Sequence, residues 1–305
     1  MSSVPVVLGP AVADALSAHR AVVALETTIV AHGLPAPLNL EVAAACEEAV
    51  RESGAVPATI GVHGGRVVAG LSAEELAELA DPRREVAKLS ARDLGLAAAA
   101  GIDGATTVAG TIAVAHQVGI AVMATGGLGG VHRDAATTFD ESADLMTLAR
   151  TPVLVVASGV KSILDIGATL ERLDSLGVPV VGYQTDRFPG FYRRDAGFAL
   201  EWTMDSPAAA ARAFAAHRSF SPSGWLLAHP VPAESELDAE LHDAAVAAAL
   251  EEARIAGVTG KAVTPALLAS FAERTGGASV TTNRDLVVAN ARLAGHVAVA
   301  LAALS

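Results

Sequence analysis

The sequence predicts an α/β fold built on a mostly parallel central sheet. Apolar runs of strand length alternate with helical patterns along the chain, the arrangement expected of helices layered on parallel strands. Apolar residues make up 52% of the chain and aromatics only 4%, so alanine and valine carry the core and allow close helix–sheet packing. Several polar clusters directly follow predicted strands, and active sites of such folds gather at the carboxyl ends of strands. No repeat, low-complexity tract or linker divides the chain, so residues 1–305 are read as one α/β domain.

Taken in order, 21–25 is a short strand and 38–53 a helix ending at Gly54. Segments 59–62 and 66–70 form a hairpin around His63-Gly64-Gly65. Helix 72–79 opens on a capping box, Ser72 with Glu75. A helix over 110–118 precedes a buried strand at 120–124 and the glycine loop Gly126-Gly127-Leu128-Gly129-Gly130. Helix 141–149, strand 153–157, helix 162–175 and strand 178–182 follow. The last third adds helices near 207–217, 237–254, 265–274 and 282–303, with a strand near 224–228. The alanine-rich stretches 97–100 and 208–216 read as helices rather than tethers.

Composition excludes several classes of function. A formal charge of −12, with no basic run or basic–aromatic stripe, argues against nucleic acid as a partner. The single cysteine, Cys46, rules out an internal disulfide and any cysteine-clustered metal site, and its alanine-rich setting makes it a small core residue. No charged-then-apolar leader is visible, and no uncharged apolar run reaches about 18 residues. The expectation is therefore a soluble cytoplasmic protein with no membrane partner. The nine histidines show no closely spaced metal pattern, and no serine sits in a nucleophile-elbow motif.

Of 21 lysines and arginines only three are lysine: Lys88, Lys161 and Lys261. In a chain that uses arginine for positive charge, a retained lysine is a candidate for chemistry a guanidinium cannot do, since an amine can lose its proton and attack a carbonyl. Lys161 ends the apolar run that begins at Val153 and opens the predicted helix 162–175, which would deliver one amine to a sheet edge. A surface lysine at a strand end has the same local pattern. Lys88, in 88–93 (KLSARD), reads as an anion clamp, and Lys261 as a turn residue. Glu26 follows strand 21–25, where partial burial raises a carboxyl pKa and suits a general acid; a turn cap or an arginine partner is the plainer alternative. The glycine loop fits neither the dinucleotide nor the P-loop fingerprint, but its N–H groups can converge on an anion, with Thr125, His132 and Arg133 adding donors. Asp140 reads as a helix N-cap with Asp144 one turn on, a spacing at which two carboxylates can share a hard cation; capping alone also accounts for Asp140.

These segments resemble pseudouridine-5′-phosphate glycosidase. The matching stretches are 24–37 (ALETTIVAHGLPAP), 59–65 (TIGVHGG), 88–93, 106–115 (TTVAGTIAVA), 124–133 (ATGGLGGVHR), 140–145 (DESADL), 156–165 (VASGVKSILD), 182–189 (GYQTDRFP) and Asn290-Ala291-Arg292. Each is weak alone; their order and spacing from about residue 20 to 300 make the resemblance specific. It implies a three-layer α/β/α core, a homotrimer and a divalent cation, usually Mn2+. It also implies reversible cleavage of pseudouridine 5′-phosphate to uracil and ribose 5-phosphate through a lysine imine. By the same resemblance Lys161 is the nucleophile, Glu26 the proton donor and Asp140 the metal ligand. Lys88, Val108 and Ser142-Ala143-Asp144 match substrate-binding positions, with Thr125, His132 and Asn283 expected around phosphate and ribose. A Schiff-base aldolase acting on another sugar phosphate would share the lysine. One departure stands out: in 224–232 (GWLLAHPVP) His229 replaces the family's usual Asn.

Overall fold

The computed structural model describes residues 5–257 and 263–304; Lys261 and the turn expected around it lie outside the described residues. The strands are β1 (Val7–Leu8), β2 (Val22–Leu25), β3 (Val56–His63), β4 (Arg66–Ala69), β5 (Ala87–Leu89), β6 (Gly104–Thr106), β7 (Val122–Ala124), β8 (Leu154–Ala157), β9 (Val180–Tyr183), β10 (Thr203–Met204) and β11 (Trp225–Ala228). They form one sheet in the order β1-β4-β3-β2-β7-β8-β11-β9-β10, with β6 branching from β3 and carrying β5. Every strand pair is parallel except β3 with β4 and β3 with β6. β3 serves three neighbours: its first half pairs with β2, and its second half forms the hairpin with β4 and also pairs with β6.

Helices cover both faces, as expected of a buried parallel sheet. They are α1 (Pro10–Ser17), α2 (Leu38–Glu52), α3 (Ala73–Ala80), α4 (Leu94–Ala100), α5 (Val108–Gln117), α6 (Ala135–Thr138), α7 (Ala143–Leu148), α8 (Ile166–Ser175), α9 (Pro207–His217), α10 (Ala239–Ile255), α11 (Val263–Arg274) and α12 (Ala278–Ala302). The period of two along each strand sorts the core into its layers. Ala24, Met123, Val155 and Leu226 pack with α1, α5, α7 and α8, while Val23, Val122, Val156 and Leu227 pack with α2, α9 and α12. Cys46 is buried in the second layer, where burial pushes its thiol pKa up to about 12. α12 has the length and composition of a membrane span, but 56% of its apolar window is buried in the protein, where it packs on α2 and the central strands.

Local chemistry explains most element ends. Ser72 and Glu75 make both halves of the expected capping box at α3. α5 starts two residues before the expected 110, because the Thr107 side chain accepts the Gly110 N–H and caps it. The helix expected at 141–149 begins at Ala143: Ser142, not Asp140, is its N-cap, its hydroxyl accepting the Asp144 N–H. The helix expected at 162–175 begins at Ile166 under Asp165, whose carboxylate accepts the Ala168 N–H. Lys161 therefore stands in a loop ahead of the helix rather than at its first turn. The strands β1, β5, β6 and β10 and the helix α1 carry no period that sets them apart in the sequence; β1, β5 and β10 each pair with a single strand over two or three residues and depend on the neighbour they meet.

Candidate active site

A cavity of about 310 Å³ opens at the carboxyl ends of the central strands. Glu26 follows β2, Lys88 lies in β5, Thr107 and Val108 follow β6, Thr125 and the glycines follow β7, and Lys161 follows β8. His132, Asp140, Ser142, Ala143 and Asp144 close one side, and Asn283 enters from α12. The cavity thus gathers Lys161, Glu26, Lys88, Val108, Thr125, His132, Asp140, Ser142, Ala143, Asp144 and Asn283, every residue that the resemblance assigns to catalysis, substrate or metal.

Lys161 is held by its backbone. Its N–H donates to the Leu128 carbonyl at 3.2 Å and its carbonyl accepts from Leu164 at 2.9 Å, so the segment after β8 runs beside the glycine loop before turning into α8. Arg133, expected to offer donors to an anion, instead donates to the carbonyls of Ser162 and Ile163 and braces this segment.

Glu26 shows the electrostatics expected of a proton donor. Burial raises its carboxyl pKa, with Asp144 adding to the rise; the Lys161 ammonium, a hydrogen bond donated by the Thr125 hydroxyl and the charge of Lys88 act against it. Thr27 and Thr28 fix the segment behind it: the Thr27 hydroxyl donates to the Ile60 carbonyl and the Thr28 hydroxyl to the Thr106 carbonyl, at 2.8 and 2.6 Å. His32, on the widened helical turn Ile29–Gly33, also faces the cavity. Burial and then the charge of Lys88 lower its pKa, so it stands neutral.

Asp144 is held by two backbone donors. One carboxylate oxygen accepts the Ala109 N–H at 2.8 Å and the other the Gly129 N–H at 2.9 Å. The carboxylate therefore ties the start of α5 to the glycine loop. One N–H of that loop, from Gly129, is thus given to the protein's own carboxylate. Asp140 lies in the extended stretch before α7 with its side chain 39% exposed and His132 Nε2 3.9 Å away. The glycines serve space rather than backbone freedom, since none of the four has positive φ. A Cβ on Gly129 would stand 2.7 Å from Asp144 Oδ2 and still closer to the Ser142 hydroxyl. Gly129→Ala is accordingly expected to displace Asp144, lowering stability by about 1–3 kcal/mol and depressing activity beyond that loss; urea unfolding beside an activity assay checks both.

Sequence reasoning missed His32, Ser90, Arg92 and Phe191 as lining residues. The first three lie inside the segments 24–37 and 88–93 that carry the family resemblance, which is the signal that marks them. Phe191 enters from a loop in which it has positive φ, and no local pattern marks it. His32 Nε2, Ser90 Oγ and Asn283 Oδ1 are buried and have no hydrogen-bond partner among the described residues. Buried polar atoms of this kind are normally satisfied by a ligand or water. His229, expected to alter the cavity if it reached it, is not among the lining residues; its ring meets Asn290 and the edge of Tyr183.

Residues 11–300 match the family model described as Indigoidine synthase A like protein. The chain belongs to this family. Within it, a relative from Salinispora tropica named pseudouridine-5′-phosphate glycosidase is 59% identical over 97% of this chain and 91% of its own. A relative of the same name from Saccharopolyspora erythraea is 50% identical over 97% of this chain and 98% of its own. The family fold is seen in prealnumycin C-glycosynthase AlnA in complex with ribulose 5-phosphate, which is 40% identical and superposes with a TM-score of 0.91 over 99% of both chains. An indigoidine synthase A (IdgA)-like protein from Thermotoga maritima is 33% identical, with a TM-score of 0.89 over 99% of this chain and 98% of its own.

Proposed function

We propose that this family member cleaves the C–C glycosidic bond of pseudouridine 5′-phosphate, giving uracil and ribose 5-phosphate. The observation that carries the reading is one cavity holding a lysine amine, a glutamate with raised carboxyl pKa and a further lysine suited to a phosphate. The names of the relatives at 50–59% identity and the sugar phosphate in the AlnA complex support it.

Carbon is a poor leaving atom, so the sugar ring must open first. Glu26 donates a proton to the ribose ring oxygen as the Lys161 amine bonds to the anomeric carbon and the ring C–O bond breaks. The amine gives up a proton, and its lone pair then expels uracil, whose ring carbon takes a proton as the C–C bond breaks. The imine left between Lys161 and ribose 5-phosphate is hydrolysed by water, restoring the amine. His32, Ser90 and Asn283 offer buried polar atoms to hydroxyl, phosphate or base, and Lys88 with Arg92 offers positive charge to the phosphate.

A divalent cation such as Mn2+ fits the donors at Asp140. Among the described residues no cluster of three His, Cys, Asp or Glu side chains gathers, but one accessible carboxylate suits a hard cation that keeps most of its water. Asp140 would hold the cation, which would position the substrate through bound water. We further read the protein as a single catalytic domain that acts in the cytoplasm as a homotrimer, without membrane or nucleic-acid partners.

The test is uracil release from pseudouridine 5′-phosphate by protein stripped with chelator, then reloaded with Mn2+. Release restored by the metal is expected. Absence of uracil from folded, metal-loaded protein would sink the reading, and cleavage of another sugar phosphate instead would favour the aldolase alternative.

A further inference from the structure

Behind the cavity, outside its lining, lies a buried side-chain pair that the mechanism does not use. Asn290 on α12 is fully buried. Its Nδ2 donates to the Thr125 carbonyl at 2.9 Å and to Ser158 Oγ at 3.1 Å. Its Oδ1 lies 2.9 Å from His229 Nδ1 and 3.5 Å from Ser158 Oγ. His229 directly follows β11, and its own N–H donates to the Ala157 carbonyl at 2.8 Å. One carboxamide therefore touches the residues that follow β7 and β8 and, through His229, the residue that follows β11.

Those residues lead to the reacting groups. Thr125 carries the hydroxyl that donates to Glu26. Ser158 begins the segment that ends in Lys161, and its N–H donates to the Gly126 carbonyl at 2.9 Å. A carboxamide is nearly symmetric in shape, so its hydrogen-bond partners decide which end is oxygen. The Thr125 carbonyl can only accept, which demands Nδ2 on that side. Oδ1 then takes its donors from the other side, His229 Nδ1 at 2.9 Å and Ser158 Oγ at a longer 3.5 Å.

We propose that His229 and Asn290 form a positioning pair that, from outside the cavity lining, holds the Thr125–Glu26 and Ser158–Lys161 segments in catalytic register. Neither residue touches substrate. Burial and then the Arg194 charge lower the His229 pKa against the opposing hydrogen bond to Asn290, so the imidazole is neutral, with a proton on Nδ1 as the donor to Asn290. The groups facing His229 are Arg194, whose guanidinium donates to the Val231 carbonyl, and the Tyr183 ring, 5.5 Å away edge-on. The charges acting on Glu26 are Lys161, Asp144 and Lys88. Loss of the Nδ1 donor would leave Asn290 Oδ1 only its 3.5 Å contact with Ser158 Oγ, free the amide to turn, and loosen the Thr125 hydroxyl that holds the Glu26 pKa down.

This inference rests on the proposed C-glycosidase reading, and the test separates the two. Full-length His229→Leu and His229→Asn are assayed beside the unaltered protein for uracil release across pH. In His229→Leu, kcat is expected to fall about tenfold with KM changed by less than about twofold, and the alkaline limb to move to higher pH. His229→Asn, which can present an amide N–H, is expected to recover kcat and the limb. A cavity-filling role alone would lower the melting temperature of both variants without moving the limb. Unaltered kcat and limb in His229→Leu, or equal losses in both variants, would overturn the pair. If His229→Leu does not fold, Asn290→Asp replaces it, and there an unmoved kcat and alkaline limb overturn the pair. If the unaltered protein releases no uracil, the functional reading fails by itself. Amide exchange at 125–127 and 158–161 then carries the test: faster exchange in His229→Leu but not His229→Asn supports the pair, and unchanged exchange in both overturns it.

Discussion

Lys161→Arg is expected to remove uracil release by a factor on the order of 10⁴ or more, because it deletes a covalent nucleophile while keeping its charge. A guanidinium retains its proton and forms no imine with an aldehyde. The substitution is the sharper test because Lys161 also acts as a charge on Glu26; alanine would alter both functions at once, whereas arginine preserves the electrostatic one. Borohydride reduction with ribose 5-phosphate should attach one sugar phosphate to Lys161 in the unaltered protein and none in Lys161→Arg. Intact mass followed by peptide mapping reads it. An adduct elsewhere, or turnover surviving in the arginine variant, would refute the imine mechanism.

Glu26→Gln is expected to lower kcat by about 10²–10⁴-fold, the usual range for a lost general acid. The two substitutions differ in a useful way. Ribose 5-phosphate in its open form already presents an aldehyde, so Glu26→Gln should still be trapped on Lys161 by borohydride while failing to open the substrate ring. The pH profile follows from the sign of the shift. The acid works while protonated, and burial raises the Glu26 pKa, so activity should persist above the ordinary carboxylate range and fall as pH rises through the raised value. In Glu26→Gln that alkaline limb should vanish from the residual activity. A limb that remains would assign it to another group.

The sequence made the candidate site legible to an unusual degree because the fold places function at strand ends. An apolar run followed by a polar cluster marks such an end, and Glu26, Thr125 and Lys161 all follow strands that the apolar pattern predicts. Lys161 had a second signal in the scarcity of lysine. Legibility stopped where a side chain's partner lay far along the chain. The Asp140–Asp144 spacing says nothing of the backbone partners of Asp144, whose carboxylate accepts from Ala109, 35 residues away, and from the glycine loop. Arg133 looked like an anion donor, yet it braces the Lys161 segment.

By itself, then, the sequence determined the alternation of strand and helix, the helix cap at Ser72, and the family. Periodicity and capping act over a few residues, so they are written locally. Only the tertiary structure decided which polar groups face the cavity and which face one another. Asn290 reaches the Thr125 carbonyl across 165 residues of chain, and His229 reaches Asn290 across 61. A buried polar group must find a partner wherever the fold brings one, and no local pattern encodes which one that will be.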